Sequence, residues 1–477
     1  MSSQTPDVVD LSESFKAYDV RGIVGSTITD DSVRAVGAAF VDVLELAGAT
    51  MLVGGDMRAS SPEFMQAFAD GARSRGANVT SLGLISTDML YHATGVLNAP
   101  GVMFTASHNP SSYNGMKMAR AGASPISADT GLAEIQQLAQ RYLNEGGIPA
   151  VENPGEYSDT ETLTDYATFL RSLVDLSHIR PLKIVVDAGN GMAGKTTPAV
   201  LGDELLEALP IEIDPLYFTL DGTFPNHPAN PLEPENLKDV QARVRETGAD
   251  LGLAFDGDAD RCFVVDENGD PVSPSAITAI VAQREIQRAQ AEGEQTPVII
   301  HNLITSQAVP ELVTASGGRP VRTRVGHSFI KAVMAEENAV FGGEHSAHYY
   351  FRDFFNADTG MLAAMHVLAV LGSTERAMSD VAEEFNPYIA SGEINSEVAD
   401  KEAATARVLE AFQTDSADND LTVDPLDGVT VASQSGGWWF NVRPSNTEPL
   451  LRYNGEAQDE SVMAEVRDRA LAAIRDQ

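Results

Sequence analysis

A single cysteine, Cys262, stands in 477 residues. No disulfide can close within the chain, and its chemistry is compatible with a reducing cytoplasm. Positive charge is also scarce: 32 Lys and Arg face 69 Asp and Glu, a formal net charge of −37. Nucleic acid and anionic membrane both attract basic surfaces, so neither is expected as the main partner. Long hydrophobic runs are missing. The longest, around Gly360–Gly372, is too short to span a bilayer as a helix. Residues 1–14 have neither a basic start nor an apolar core, so a secretory signal is not expected. There is no low-complexity tract. What is present is an ordinary globular composition, 43% hydrophobic and 21% charged, in a chain too long for one core.

Three stretches share a pattern of β-rich apolar run, Gly or polar loop, and helix-like segment. They are residues 50–56 before 62–75, residues 183–190 before 197–209, and residues 297–301 before 305–316. Such units suggest repeated α/β domains, and residues 44–84 read as a βαβ unit. Polar stretches rich in Gly and Pro mark linkers at 144–155, 266–274 and 386–394. The remainder reads as a helix (400–412), a β-like run (428–442), a polar loop and a terminal helix (458–475), an order that fits a smaller α+β domain. Domain limits of 1–155, 156–270, 271–387 and 388–477 follow.

Residues Thr105-Ala106-Ser107-His108-Asn109-Pro110 place one hydroxyl on a turn after an apolar strand. Serine is a weak nucleophile unless a base, a metal or a pre-formed phosphoester assists it. His108 is adjacent in sequence, which is poor geometry for a Ser–His relay, and no G-x-S-x-G elbow is present. A capping serine in an ordinary loop accounts for the hexapeptide equally well. Residues Asp256-Gly257-Asp258-Ala259-Asp260-Arg261 put three carboxylates at alternate positions between two β-like runs, enough to hold a hard divalent cation. Asp256, Asp258, Asp260 and Glu267 also fall at EF-hand positions, but Arg261 stands where that loop needs glycine. A metal beside a serine suits phosphoryl transfer, since the ion neutralises phosphate oxygens.

Two further loops carry polar groups. Glu344, His345, Ser346 and His348 follow a glycine pair, and Glu and Ser are suitable partners for sugar hydroxyls. Upstream, His327 and Lys331 lie near a helix start, where phosphate binds readily. Arg443 with Ser445, Asn446 and Thr447 combines a fork-shaped cation with short donors. Each loop by itself also fits a helix cap or a satisfied loop residue. The charge of −37 repels any phosphorylated substrate, so its site needs a local cluster of Arg, Lys and His.

Together these residues resemble the α-D-phosphohexomutase family, which includes phosphomannomutases and phosphoglucomutases, over nearly the whole chain and in order. Ala17-Tyr18-Asp19-Val20-Arg21-Gly22 resembles the N-terminal phosphate-contacting segment, 105–110 the phosphoserine loop, and Asn114-Gly115-Met116-Lys117 the lysine that follows. Residues 221–228 (Asp221 to Pro228) resemble a characteristic loop, 256–261 the metal loop, 343–348 the sugar loop and 443–449 the phosphate loop. The metal loop has Ala259 where the family commonly has glycine.

The resemblance implies a heart-shaped, four-domain α/β architecture, with three similar α/β domains and a C-terminal α+β domain around a central cleft. It implies that Ser107 is carried as phosphoserine, and that Asp256, Asp258 and Asp260 hold Mg²⁺ with an oxygen on Ser107. Arg261, Lys117 and His348 would serve catalysis. Tyr18, Arg21, His108, His327, Lys331, Glu344, Ser346, Arg443, Ser445, Asn446 and Thr447 would bind substrate. A hexose monophosphate would pass through a hexose 1,6-bisphosphate, traces of which would prime the enzyme. The sugar loop followed by Tyr349-Tyr350-Phe351 looks most like the phosphomannomutase branch, with glucose and glucosamine phosphates as alternatives. A metal-dependent phosphatase and a calcium-binding module are the rival classes. A small phosphosugar is the expected partner, for a cytoplasmic monomer or homodimer.

Overall fold

The apolar runs become central strands. In this computed structural model, which describes residues 9–149, 151–413, 420–445 and 450–476, the first sheet has six strands. Their order is Val20–Ile23, Tyr113–Ala119, Gly101–Phe104, Thr50–Gly55, Asn78–Leu84, Tyr157–Asp159. The strands from Gly101–Phe104 outward to Tyr157–Asp159 run parallel; Tyr113–Ala119 and Val20–Ile23 are antiparallel to their neighbours. Gly101–Phe104 is buried throughout, as expected for a strand covered on both faces. Helices Asp30–Val43 and Ser61–Ser74 pack closely: a Cβ on Gly37 would lie 2.2 Å from Phe68 O, and one on Gly71 would lie 2.0 Å from Arg34 O. Phe68 stacks edgewise between Phe40 (5.7 Å) and Phe104 (5.8 Å), tying the helix pair to the strand that leads to Ser107.

The second sheet runs Pro271–Val272, Cys262–Val265, Leu251–Phe255, Leu182–Asp187, Ile211–Leu216, parallel among the last three and antiparallel at Cys262–Val265. The hairpin Tyr349–Phe351 with Ala357–Asp358 and the buried helix Gly360–Gly372 belong to the same compact unit, residues Met1–Val272 with Ser346–Ser379. Asp88 is a hub within it. Its carboxylate accepts hydrogen bonds from Ser86, from Tyr166 (2.5 Å) and from Thr359 (2.7 Å), joining three helices.

The other unit comprises Ser273–His345 and Asp380–Gln477. It contains parallel strands Arg319–Thr323, Val298–Asn302 and Phe341–Gly343. It also contains an antiparallel sheet built on Leu450–Ala457, Trp438–Pro444, Val429–Ser433 and Leu421–Asp424, backed by helices Lys401–Gln413 and Glu460–Arg475. No helix among the described residues is long and apolar enough to cross a membrane.

Four details differ from the sequence reading. The helix expected at 197–209 is Ala193–Val200, after which the chain turns; Gly202 suits the position just past a helix end, and Asp203 and Glu204 oppose the negative C-terminal pole that a longer helix would place beside them. The linker expected at 266–274 is largely a hairpin turn: Asp266 Oδ1 accepts from Asn268 N (2.9 Å) and Asp270 N (2.8 Å), and Val272 pairs with Val264. The stretch 386–394 includes the short strand Ile389–Ala390. The β-like run at 428–442 is two strands joined by a turn at 434–437.

Two tests follow from this packing. Gly71→Ala should destabilise the first unit by about 1–3 kcal/mol, because a methyl meets backbone rather than a movable side chain; an unchanged chemical-denaturation midpoint would contradict the close helix contact. Burial pushes the Asp88 carboxyl up to about 6, against the pull of its three hydroxyl donors. The folded state therefore holds a proton that the unfolded chain has released, and this group makes stability fall as pH rises from about 4 to 6. Relative to the native chain, Asp88→Asn should gain about 3 kcal/mol of unfolding free energy between pH 4 and pH 7. Parallel stability profiles would contradict it.

Candidate active site

Ser107 follows the carboxyl end of Gly101–Phe104, and the aspartate loop follows the carboxyl end of Leu251–Phe255, the edge where α/β sheets place ligands. The two loops touch. A Cβ on Gly257 would sit 2.4 Å from Ser107 O, so only glycine permits the approach. Ser107 itself has φ 50° and Ala259 has φ 62°, left-handed conformations rare for residues with a Cβ. The second value explains why glycine suits position 259.

Ser107 Oγ donates to Asp256 Oδ2 at 2.7 Å. Arg261 donates to the same carboxylate through Nε (2.9 Å) and Nη2 (2.7 Å), and Nη2 lies 3.2 Å from Ser107 Oγ. Lys117 Nζ bridges Asp258 Oδ2 (2.7 Å) and Asp260 Oδ2 (2.5 Å). Thr87 Oγ1 donates to Asp258 Oδ2 at 2.6 Å. Each of the three carboxylates offers an oxygen within 4.8 Å of the others, and all three residues are buried. Asp258 Oδ1 and Asp260 Oδ1 have no hydrogen-bond partner. Three buried carboxylates with two bare oxygens fit a hard divalent cation. Burial raises the Asp256 pKa against the pull of Arg261, whereas the Lys117 ammonium overcomes burial and holds Asp258 well below the usual range.

His108 departs from expectation. Its Nδ1 reaches Ser107 Oγ at 3.3 Å, because the left-handed serine turns the two side chains to one side. It is no base, however: Arg261 Nη2 lies 2.6 Å from the same nitrogen, and burial together with that cation pushes the imidazole down to about 2. Arg21, half-buried, joins Asp19 (2.9 Å) and Asn109 Oδ1 (2.9 Å). Tyr18 is half-buried beside it in sequence. His348 pairs by backbone with Arg261, and its Nε2 stands 3.8 Å from Asp260 Oδ1 while Nδ1 meets Ser346 Oγ at 3.0 Å. Burial lowers its pKa to about 4. The structure thus gathers Ser107, His108, Lys117, Asp256, Asp258, Asp260, Arg261, Ser346 and His348, with Arg21 tied to the serine loop. Helices do not flank the aspartate loop, and Glu267 instead accepts from Ser379 N at 3.0 Å, which removes the EF-hand alternative.

The remaining candidates lie in the other unit. Glu344 is buried and accepts from Asn302 Nδ2 at 3.0 Å. Lys331 is buried on helix His327–Glu337, and the side chain of His327 lies outside the described residues. Arg443 Nη2 donates to Glu393 at 3.0 Å. Ser445 N closes on Leu450 O at 2.9 Å and its carbonyl accepts from Lys401 (2.8 Å). Asn446 and Thr447 lie outside the described residues.

Sequence reasoning missed Asp56, Arg58 and Thr87. Arg58 is 2% exposed and spends all five guanidinium N–H groups. Nη1 reaches Pro110 O (2.8 Å) and Tyr113 O (3.0 Å), Nη2 reaches Ser107 O (2.8 Å) and Asn109 O (2.7 Å), and Nε reaches Asp56 Oδ2 (3.2 Å). The guanidinium also lies 5.2 Å from the Phe224 ring, in the loop 221–228. The only local signal was a charged pair, Asp56 and Arg58, just past an apolar strand.

Comparison with known proteins shows the family. Models of phosphoglucomutase/phosphomannomutase α/β/α domains I, II and III match residues 12–145, 164–269 and 273–388, and the C-terminal domain model matches 393–473. A phosphomannomutase of Salmonella typhimurium is 39% identical over 469 residues, 97% of this chain and 99% of the relative. A protein of Xanthomonas campestris described as phosphohexose mutases is 39% identical, covering 97% of this chain and 98% of its own. The crystal structure of a phosphoglucomutase/phosphomannomutase family protein from Burkholderia thailandensis superposes with a TM-score of 0.83 at 29% identity, covering 98% of both chains. The chain belongs to the phosphoglucomutase/phosphomannomutase family, with its four-domain α/β architecture. It is an intramolecular phosphotransferase, a phosphohexomutase.

Arg58→Lys keeps one charge and loses the fork that grips four carbonyls. It should fold, with unchanged far-UV circular dichroism, and lose at least about tenfold in kcat through misplacement of the serine. Arg58→Ala should cost about 3–5 kcal/mol of stability by stranding Asp56. A lysine variant with native kcat would overturn the clamp.

Proposed function

We propose that this enzyme interconverts mannose 1-phosphate and mannose 6-phosphate through a phosphorylated Ser107. The observation that carries the reading is the Ser107 hydroxyl, 2.7 Å from Asp256 and within reach of Arg261, at the edge of three clustered carboxylates. Phosphomannomutase relatives at 39% identity over nearly the full chain support mannose as the sugar.

In this reading the phosphoryl group of phosphoserine 107 passes to the free O6 hydroxyl of mannose 1-phosphate. The Ser107 Oγ–P bond breaks, an O6–P bond forms, and mannose 1,6-bisphosphate results. The bisphosphate turns over, and its O1 phosphoryl returns to Ser107, leaving mannose 6-phosphate. Asp256, Asp258 and Asp260 would hold Mg²⁺, which supplies positive charge to the phosphoryl oxygens when bound. Arg261 stabilises charge on the moving group from its fixed place between Asp256 and Ser107. Lys117 and His348 exchange the sugar-hydroxyl proton. Phosphate-binding roles are assigned to Tyr18, Arg21 and His108 in the first unit and to His327, Lys331, Arg443, Ser445, Asn446 and Thr447 in the other, and sugar-hydroxyl roles to Ser346 and Glu344 respectively. Anchoring the distant phosphate orients the reacting hydroxyl. Traces of hexose 1,6-bisphosphate would phosphorylate a dephosphorylated Ser107. We place the reaction in the cytoplasm, with domain boundaries after residues 155, 270 and 387.

Glucose phosphates form a second reading, favoured by the relative described as phosphohexose mutases. Mannose and glucose differ only at C2, where no residue above is assigned. One experiment separates the readings: kcat/KM for mannose, glucose and glucosamine 1-phosphates with Mg²⁺ and trace bisphosphate. Mannose turnover is expected, with loss of at least about 10³-fold in Ser107→Ala and on chelation of the metal. Inorganic phosphate released without 6-phosphate product would instead establish a phosphatase.

A further inference from the structure

A second group of ligating atoms lies beside the three aspartates. Asp260, His348 and Asp358 each place one ligand atom within 4.8 Å of the others. Asp358 ends the short strand Ala357–Asp358, and His348 immediately precedes the strand that pairs with it. Only Asp260 is shared with the first set. Its two oxygens face different neighbours. Oδ2 is held by Lys117 at 2.5 Å, whereas Oδ1 faces His348 Nε2 at 3.8 Å and makes no hydrogen bond, although Asp260 is only 1% exposed. Arg261 Nε stands 3.9 Å from the same oxygen, also beyond hydrogen-bond reach, so this buried carboxylate oxygen carries no hydrogen bond and the gap between it and the imidazole nitrogen is wide enough for a ligated ion. Donors about 2.1 Å from a common ion stand about 3.4 Å apart in tetrahedral geometry, and further apart when the angle opens. The other ring nitrogen is already engaged by Ser346 Oγ at 3.0 Å, which orients the ring as metal-binding histidines are oriented.

We propose that Asp260, His348 and Asp358 form a second cation site, for a borderline divalent ion such as Zn²⁺ or Co²⁺. The chemistry separates it from the first set: three carboxylates suit Mg²⁺, whereas two carboxylates and an imidazole suit the transition ions. Three protein ligands leave a coordination position for water. An ion here occupies Nε2 of His348, so it inhibits turnover; that consequence alone rests on the proton-transfer role given to His348 above.

The test uses the full chain in excess Mg²⁺, titrated with Co²⁺ and followed by equilibrium dialysis and visible absorption, with turnover measured in parallel. Expected is a Co²⁺ ion that excess Mg²⁺ does not displace. Asp358→Asn and His348→Gln should each weaken it by at least about tenfold, while Asp258→Asn, outside this set, should retain it. Absence of Co²⁺ binding to the native chain over Mg²⁺ overturns the site, and so does Co²⁺ binding that both variants leave unchanged. Co²⁺ bound through Asp358 and His348 without loss of turnover supports the site and overturns the proton role of His348 instead.

Discussion

Everything near Ser107 answers to one constraint: three carboxylates are buried within 4.8 Å of one another. Like charges at that spacing in a poorly hydrated site cannot all stay ionised without compensation. Lys117 and Arg261 supply two positive charges against three negative ones, leaving one in excess and two oxygens bare. The surrounding fold serves to hold that balance. Lys117 comes from the strand Tyr113–Ala119, Thr87 opens a helix in the same sheet's neighbourhood, and the aspartates come from a strand end of the second sheet. Charge that would disrupt a single domain thus becomes the cement between two sheets.

The same arrangement denies the serine a hydrolase-type relay. His108 is near enough but is occupied by Arg261 and stays neutral. What the structure invests in is position. Ser107 sits at φ 50°, a conformation that costs roughly 1–3 kcal/mol and persists only where the surroundings fix it. Arg58 fixes it with four carbonyl contacts, and Thr105 Oγ1 accepts from Ser107 N at 2.9 Å. A phosphoester is already activated, so a group carried on Ser107 needs to be held in line and have its charge met. A general base on the serine would be idle.

The legible parts of this site were those whose chemistry is local. Three aspartates at alternate positions declare their convergence in six residues, and the strand–turn–proline context of Ser107 is equally compact. Arg58 was invisible because its meaning lies 49 residues away at Ser107 O, and Thr87 because its partner Asp258 is 171 residues distant. Asp358, likewise, gains significance only when a hairpin carries it to Asp260. Local reasoning also erred where turn chemistry outweighed composition: residues 266–270 looked like a linker because they are polar, yet Asp266 organises them into a hairpin turn. The helix-like segment expected at 197–209 ran past the point where acidic residues oppose a helix C-terminus.

The acid surplus of the whole chain and the anionic substrate of its family stand in apparent conflict. Distance resolves it. At physiological salt the field of exposed acids is screened beyond about 8 Å, so the −37 formal charge acts on an approaching phosphosugar mainly where carboxylates are close. Close to Ser107 four cations stand against five acids: Arg261 meets Asp256, Lys117 meets both Asp258 and Asp260, Arg58 meets Asp56 and Arg21 meets Asp19, which leaves a single negative charge over. Each cation is paired and buried or half-buried, and each carries its field into a region where water screens poorly. Local pairing, rather than net charge, therefore decides what the serine loop can receive. The protein can keep an acidic surface all the same: a divalent cation held by the three clustered carboxylates would turn the residual negative charge at the serine loop positive, and that local balance matters more to its chemistry than the exposed acids elsewhere.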